Sequence, residues 1–204
     1  MTPLYDGVKL KILQRARPIF LAESYRSLTM TMLATACGLT RRGLYHHFSS
    51  KEDVFRAMLR WGNLEANARA DWAARKTMAR GEGALATVGE WLDSRFGEVR
   101  RDLMRSAHGA ELNETAFRLA NDLMIEAAHG TNAALVKLLT ELEGNGDIRL
   151  KRHVSVEGVA QLLADGARGV NQQRPPIPSG EIRQRYHAMA KAILFGCADP
   201  GSPP

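Results

Sequence analysis

The segment Thr40–His47 carries side chains that suit contact with a polyanion. It contains no acid, and Gly43 within it leaves room for close approach to a binding partner. Guanidinium groups bind phosphates and guanine edges, and phenols and imidazoles add further hydrogen bonds. These groups are supplied by Arg41, Arg42, Tyr45, His46 and His47. The residue types therefore predict a surface that contacts duplex DNA.

Positive charge is concentrated in the first third of the 204-residue chain. Residues 1–60 contain ten Lys and Arg against four Asp and Glu, which accounts for the whole net charge of +6. The remaining 18 basic and 18 acidic residues cancel. Such confinement is expected where one part of a chain alone meets a polyanion. The alternative is a basic surface that serves only solubility.

Two short helices are predicted to position these side chains. Thr29 can cap the first helix, and Gly38 can end it in the left-handed conformation that glycine adopts without strain. The apolar face of this helix is predicted to hold Met32, Leu33 and Ala36. Thr40 can cap the second helix, whose buried side holds Leu44 and Phe48. Two such helices form a helix-turn-helix, whose second helix enters the major groove.

A further helix is predicted to begin directly after this pair. Ser49 and Glu52 have the S-x-x-E spacing of a capping box, so a helix should start close to Lys51. The first amides of a helix have no intrahelical partner and attract anions. Lys51 and these amides are therefore predicted to hold a phosphate, unless Lys51 is only a solvated side chain.

This region resembles the tetracycline-repressor (TetR) family of bacterial regulators. The resemblance covers about residues 10–55 and is most specific in Leu44–Phe48 followed by Ser50–Glu52. It implies phosphate contacts by Thr29, Tyr45 and Lys51, and base contacts by residues 40–43 with His46. Arg42 stands where the family often has glycine, which implies a side chain close to the floor of the groove.

Apolar residues recur at spacings of three and four along almost the whole chain, which predicts an all-α fold of about nine helices. We expect a head at residues 1–50 and a larger helical body at residues 51–204. A long helix is predicted at residues 113–143, and two C-terminal helices are predicted at about 155–170 and 181–195. By resemblance these two form a homodimer interface that includes Val159, Leu163, Ala167, Tyr186, Met189 and Ile193. The alternative is that they pack in the chain's own core, and both can hold, since a helix with a wide apolar stripe can face its own body and a second copy.

The body is predicted to bind a small-molecule effector between its long helices. The candidate lining residues are Trp61, Trp91, Phe96, His108, Phe117, Asn121, Met124 and His129. Together with the resemblance, they predict a repressor that leaves a palindromic operator when the effector binds. An ordinary core is the alternative for each apolar residue.

Two other classes of function are open to a helical chain. Glu126 and His129 form one Glu-x-x-His pair, a spacing that occurs twice in di-iron helical enzymes. A helical adaptor that binds only protein is the other possibility, although it does not explain the confined charge. No phosphate loop or dinucleotide fingerprint occurs, so we expect neither a cofactor nor an enzyme.

The sequence also predicts a compartment. It has no apolar run near the roughly 20 residues that a membrane helix needs, and no signal-peptide pattern. Cys37 and Cys197 lack the spacing of a metal site or a disulfide framework. We therefore expect a cytoplasmic protein without disulfides or bound metal.

Overall fold

The protein is described by a computed structural model that covers residues 5–200, with side chains up to Gly196. Its α-helices are α1 Gly7–Ala22, α2 Met30–Cys37, α3 Arg41–His47, α4 Lys51–Ala79, α5 Gly83–Leu92, α6 Glu98–Arg105, α7 Gly109–Leu119, α8 Asn121–Gly144, α9 Val156–Gln172 and α10 Ile182–Cys197. A π-helical turn, Asp93–Gly97, joins α5 to α6 without a break. The described part thus contains nine separate helical rods, which confirms the predicted all-α class.

A short strand pair was not anticipated. β1 (Ile148–Leu150) pairs antiparallel with β2 (Ala198–Pro200), and Arg149 lies opposite Asp199. Strands of three residues are too short to show the period of two that identifies a strand in sequence.

The chain divides into two compact units. The first comprises the residues up to Leu64 together with Asp102–Ala127, and the second comprises Glu65–Arg101 together with the residues from Ala128 onward. The predicted boundary near residue 50 divides a DNA-binding head from an effector-binding body and does not coincide with the limits of the two units. It stays a prediction. Over the described range, no helix is both long enough and apolar enough to cross a membrane.

The core of the first unit is built around an aromatic cluster. Phe20 and Phe55 are fully buried, with ring centres 5.3 Å apart, and the ring of Tyr25 lies 5.2 Å from that of Phe55. Helix α7 adds Leu112 and Ala116 to the same core. The helices that carry the predicted DNA-binding residues are therefore fixed by apolar packing.

The core of the second unit surrounds α5, which is buried on nearly all sides and packs against α10. It also encloses the apolar faces of α9 and α10, which carry the residues predicted for the dimer interface. Four of the six predicted residues are fully buried within a single chain, namely Val159, Leu163, Ala167 and Tyr186. Met189 and Ile193 are partly buried against the same core. The four fully buried side chains serve the chain's own core, and the dimer contact of the two partly buried ones stays a prediction.

The predicted long helix at residues 113–143 is two helices. Ala120 separates α7 from α8, with backbone angles of φ −143° and ψ 34° that lie outside the α region. Ala120 is fully buried, so packing rather than exposed turn chemistry accommodates the break. The predicted C-terminal helices match α9 and α10 to within two residues.

One glycine of the π-helical turn lies beneath an ion pair. The carboxylate of Asp93 pairs with Arg101 two turns later, at 2.7 Å and 3.1 Å, and passes over Gly97. A Cβ atom on Gly97 would lie 2.1 Å from Asp93 Oδ1, which is far inside contact distance. Any larger residue would displace this ion pair.

Candidate nucleic-acid interface

Helix α2 begins and ends as predicted. The hydroxyl of Thr29 accepts a hydrogen bond from the amide of Met32 at 3.2 Å. Gly38 takes the left-handed conformation, with φ 70°, and its N–H bonds to the carbonyls of Ala34 and Thr35. These two capping residues fix where the turn lies.

The buried face of α2 differs from the prediction. Leu33 is buried as expected, but Met32 is 37% exposed and Ala36 is half-buried. The face that enters the core consists of Met30, Leu33, Ala34 and Cys37. Their spacing of three, four and seven residues is that of one helix face. In a helix of only eight residues, the apolar residues fit either this face or the predicted one.

Helix α3 has the predicted cap and the predicted buried side. The hydroxyl of Thr40 accepts from the amide of Gly43 at 3.0 Å. Leu44 is fully buried and Phe48 nearly so. This anchoring turns the opposite side of α3 outward.

The outward side of α3 carries cations and aromatic groups. Arg41, Arg42, Tyr45 and His46 are exposed, whereas Gly43 and His47 are half-buried. The guanidinium carbon of Arg41 lies 5.5 Å from the ring centre of Tyr45. For Arg42, residues 5–200 provide no ion pair, side-chain hydrogen bond or ring contact. Its side chain can therefore reach toward a partner without breaking an existing contact.

The capping box that opens α4 lies one residue later than predicted. Ser50, not Ser49, accepts from the amide of Asp53 at 3.0 Å. The carboxylate of Asp53, rather than that of Glu52, accepts from the amide and hydroxyl of Ser49 at 3.0 Å and 2.8 Å. Two adjacent serines followed by two adjacent acids make both registers possible in sequence, and the start of α4 at Lys51 selects the second.

Lys51 connects the start of α4 to the loop between α1 and α2. Its ammonium donates to the carbonyls of Tyr25 at 2.6 Å and Leu28 at 2.7 Å, and lies 4.4 Å from the centre of the Tyr25 ring. Burial lowers the pKa of Lys51, against an opposing effect of Glu111. An ammonium has three donors, so one N–H is left for a phosphate. The predicted phosphate contact of Lys51 stays a prediction.

We expect Lys51→Met to reduce stability as well as DNA affinity. Two hydrogen bonds from a charged donor are lost, which costs about 1–3 kcal/mol of the free energy of unfolding. Urea denaturation measures this loss, and Lys11→Met, at an exposed position of α1, is the matched control. Equal unfolding midpoints for the two variants would show that the Lys51 contacts contribute nothing.

Three of the ten basic residues in residues 1–60 form ion pairs with acids of the first unit. This count refers to the described part of the chain. The pairs are Arg17 with Asp102 at 2.7 Å, Arg56 with Asp122 at 2.5 Å, and Arg60 with Glu126 at 2.7 Å. These three cations lie away from α3 in sequence. In the described residues no acid forms an ion pair with Arg41 or Arg42, so both can pair with an external partner.

The Glu-x-x-His pair does not form a metal centre in the described residues. Both carboxylate oxygens of Glu126 accept from Arg60, at 3.2 Å and 2.7 Å. His129 is exposed, and no group of three potential metal ligands occurs between residues 5 and 200.

The eight residues proposed to line an effector pocket are divided between the two units, and the pocket stays a prediction. Trp91 and Phe96 belong to the core of the second unit, and His129 of that unit is exposed. The other five belong to the first unit, where Trp61, His108 and Met124 are partly buried and Phe117 and Asn121 are exposed. Trp91 Nε1 donates to Asp71 at 2.8 Å, so this indole is engaged within its own unit.

A buried polar cluster escaped the sequence analysis. Arg95 is only 7% exposed, and its Nε donates to Asn67 Oδ1 at 2.6 Å and Thr131 Oγ1 at 3.2 Å. The signal in the sequence is the position of Arg95, three residues after Leu92 and four after Trp91, which places it on the apolar side of a helix. Long charged side chains usually reach solvent from such positions, so burial could not be inferred.

Comparison with known proteins supports the helix-turn-helix and the fold of the chain. Residues 12–58 match the model of the bacterial regulatory proteins of the tetR family. No curated protein matches the sequence. Among solved structures, a Rhodococcus sp. protein described as a TetR-family transcriptional regulator superposes with a TM-score of 0.65 at 14% identity, over 92% of this chain and 98% of that one.

A second similar structure is SmeT, the repressor of the Stenotrophomonas maltophilia multidrug efflux pump SmeDEF. It has a TM-score of 0.61 and 14% identity, over 96% of this chain and 95% of SmeT. SmeT in complex with triclosan matches with the same TM-score and identity, over 97% of each chain. At these identities the structures establish the shared fold.

The matched segment 12–58 contains α2, the turn at Gly38, α3 and the start of α4. Its caps, its buried face and its outward cations are those of a helix-turn-helix. Residues 12–58 therefore carry a helix-turn-helix that matches the tetR family of bacterial regulatory proteins, and the chain shares the fold of the solved structures named above.

Proposed function

We propose that the protein is a cytoplasmic, homodimeric repressor that leaves a palindromic operator when a small molecule binds its body. The observation that carries the DNA-binding part is the outward side of α3, where exposed guanidinium groups stand beside a phenol and an imidazole. An arginine in the major groove can bond guanine at two points. By this proposal the capping residues Thr29 and Thr40 and the half-buried Gly43 and His47 also approach the duplex.

The proposed dimer explains a palindromic site. Two copies related by a two-fold axis place their recognition helices on half-sites about 34–36 Å apart. Because the inner faces of α9 and α10 are used in the chain's own core, we assign the contact to their outer faces. These faces carry the exposed residues Gly158, Leu162, Gly169, Ala188, Ala192 and Phe195. The glycines and alanines allow the helices of two copies to approach closely.

An effector response is supported by the chain path and by a similar structure. Residues 83–105 form one unbroken helical run, which begins in the second unit and ends in the first. Near its end, Asp102 pairs with Arg17 of α1. SmeT, which shares the fold, is a repressor that has been solved with triclosan. A small molecule that favours one arrangement of such a helix shifts the population of DNA-binding molecules.

The test begins with a duplex selected by the purified protein from a random pool. Compounds that raise the thermal stability of the protein are then added to the complex. We expect at least one to weaken DNA binding, and we expect the duplex to weaken binding of that compound by the same factor. In transcription from a promoter that contains the duplex, the protein should lower the yield and the compound should restore it.

Two outcomes would contradict the proposal. Compounds that raise thermal stability without ever changing DNA affinity would exclude an effector response. Higher transcription on addition of the protein would exclude repression.

A further inference from the structure

Arg15 connects α1 to the turn between α2 and α3. Its Nη1 donates to the carbonyl of Cys37, the last residue of α2, at 2.7 Å. Among the described residues, no ion pair and no second hydrogen bond engages Arg15. This single bond therefore fixes the direction of a long side chain that is otherwise exposed to solvent.

The end of α2 requires partners from outside the helix. The last four carbonyls of a helix have no intrahelical amide from which to accept. The carbonyl of Ala34 is satisfied by the turn itself, because the amide of Leu39 donates to it at 2.8 Å. The carbonyl of Cys37 accepts from Arg15 instead. A cation at this position also interacts favourably with the negative end of the helix dipole.

Two further contacts join the same point to α1. A Cβ atom on Gly38 would lie 3.1 Å from Arg15 Nη1, so the guanidinium packs closely against the α-carbon of this glycine. The thiol of Cys37, which is buried, donates to the carbonyl of Ile12 at 3.6 Å. Cys37 is thus bonded to α1 through both its side chain and its carbonyl. The left-handed turn that sets the angle between α2 and α3 is therefore held from α1.

We propose that Arg15 is a positioning residue for sequence recognition, which holds the turn so that α3 enters the major groove at one angle. The inference rests on the proposed function, because it requires that α3 reads bases. A two-point bond between an arginine and guanine requires accurate alignment of both groups. An ammonium on a flexible lysine stem reaches a phosphate over a range of angles. Loss of Arg15 should therefore lower recognition of the selected sequence more than general affinity for duplex DNA.

The first experiment measures the ratio of affinities for the selected duplex and random duplex DNA, with the full-length protein. Arg15→Met keeps an unbranched side chain and removes the hydrogen bond. Lys11→Met, one turn earlier at an exposed position of α1, removes the same charge and is the matched control. A hydrogen bond corresponds to about three- to tenfold in an equilibrium constant, and a dimer contains two such turns.

We expect Arg15→Met to lower this ratio by about tenfold and Lys11→Met to leave it unchanged. Arg15→Lys, which retains a charged donor for the carbonyl of Cys37, should restore most of the ratio. Because Arg15 is exposed, all three variants should stay folded, and thermal unfolding checks this.

Two further measurements separate positioning from a phosphate contact. The slope of log K against log salt should be the same for Arg15→Met and Lys11→Met, because neither variant loses a phosphate contact. Without DNA, the amides of Gly38 and Leu39 should exchange with deuterium about three- to tenfold faster in Arg15→Met than in Lys11→Met, since the turn opens more often.

Three results would overturn the inference alone. They are a ratio in Arg15→Met that equals that of wild type, equal exchange of the turn amides in the two methionine variants, and a salt slope of Arg15→Met lower by about two per dimer with both duplexes weakened alike. The last result would make Arg15 a phosphate contact. A wild-type protein that prefers no duplex sequence would overturn the proposed function together with this inference.

Discussion

Replacing Arg42 by alanine is expected to weaken binding to the selected duplex by about 2–6 kcal/mol, since one arginine–guanine pair discriminates by about 1–3 kcal/mol and a dimer makes two. Arg42 is the favoured base reader for two reasons. The family often has glycine at this position, and the guanidinium of Arg42 has no partner in the described residues, whereas that of Arg41 lies over Tyr45. The measurement is a titration of labelled duplex at fixed salt.

The informative quantity is the difference in binding affinity between the selected duplex and random duplex DNA. Loss of a base contact lowers affinity for the selected sequence far more than for random DNA, whereas loss of a phosphate contact lowers both alike. Arg152→Ala, at an exposed position of the second unit, removes the same charge and should leave the difference unchanged. If Arg42→Ala weakened both duplexes equally, Arg42 would contact phosphate only.

Replacing Leu162 by glutamate should produce a folded monomer that binds the two-half-site duplex about 10²- to 10⁴-fold more weakly, because the second half-site is then no longer bound intramolecularly. Leu162 is 51% exposed on the outer face of α9. A glutamate there keeps its solvation in one chain but would be buried without a partner between two copies. Sedimentation at micromolar concentration should change from a dimer to a single chain of 22.5 kDa.

The adjacent Leu163 provides the control. It is fully buried in the second unit, so Leu163→Glu should unfold that unit rather than separate two folded copies. A wild-type chain that sediments as a monomer, or a Leu162→Glu variant that sediments as a dimer, would contradict the assigned interface.

Local signals in the sequence predict the helix-turn-helix well. Thr29, Gly38 and Thr40 act on residues within one helical turn, so their chemistry can be interpreted without knowledge of the fold. The wrong predictions in this region arise where the sequence allows two positions for the same local feature. Adjacent serines and acids allow two capping boxes at α4, and the brevity of α2 allows Met30 and Met32 to exchange roles.

Other features depend on contacts between distant residues and leave no local pattern. Arg17 and Asp102 lie 85 positions apart, so the neutralisation of that cation could not be inferred. The apolar faces of α9 and α10, which contain Leu163 and Tyr186, would show the same pattern in sequence whether they packed in the chain's own core or against a second copy. The burial of Arg95 likewise follows from the position of the π-helical turn in the second unit, because an isolated helix would leave this arginine solvated.

The salt dependence of duplex binding tests the central claim, that residues 29–51 form the DNA-binding element, most directly. For wild type we predict that log K falls linearly with log salt, and that Lys51→Met reduces the slope by about two per dimer. The double variant Arg41→Ala with Arg42→Ala should also lose its preference for the selected sequence. If neither variant changed the affinity, the preference or the slope, the element that binds DNA would lie elsewhere in the chain.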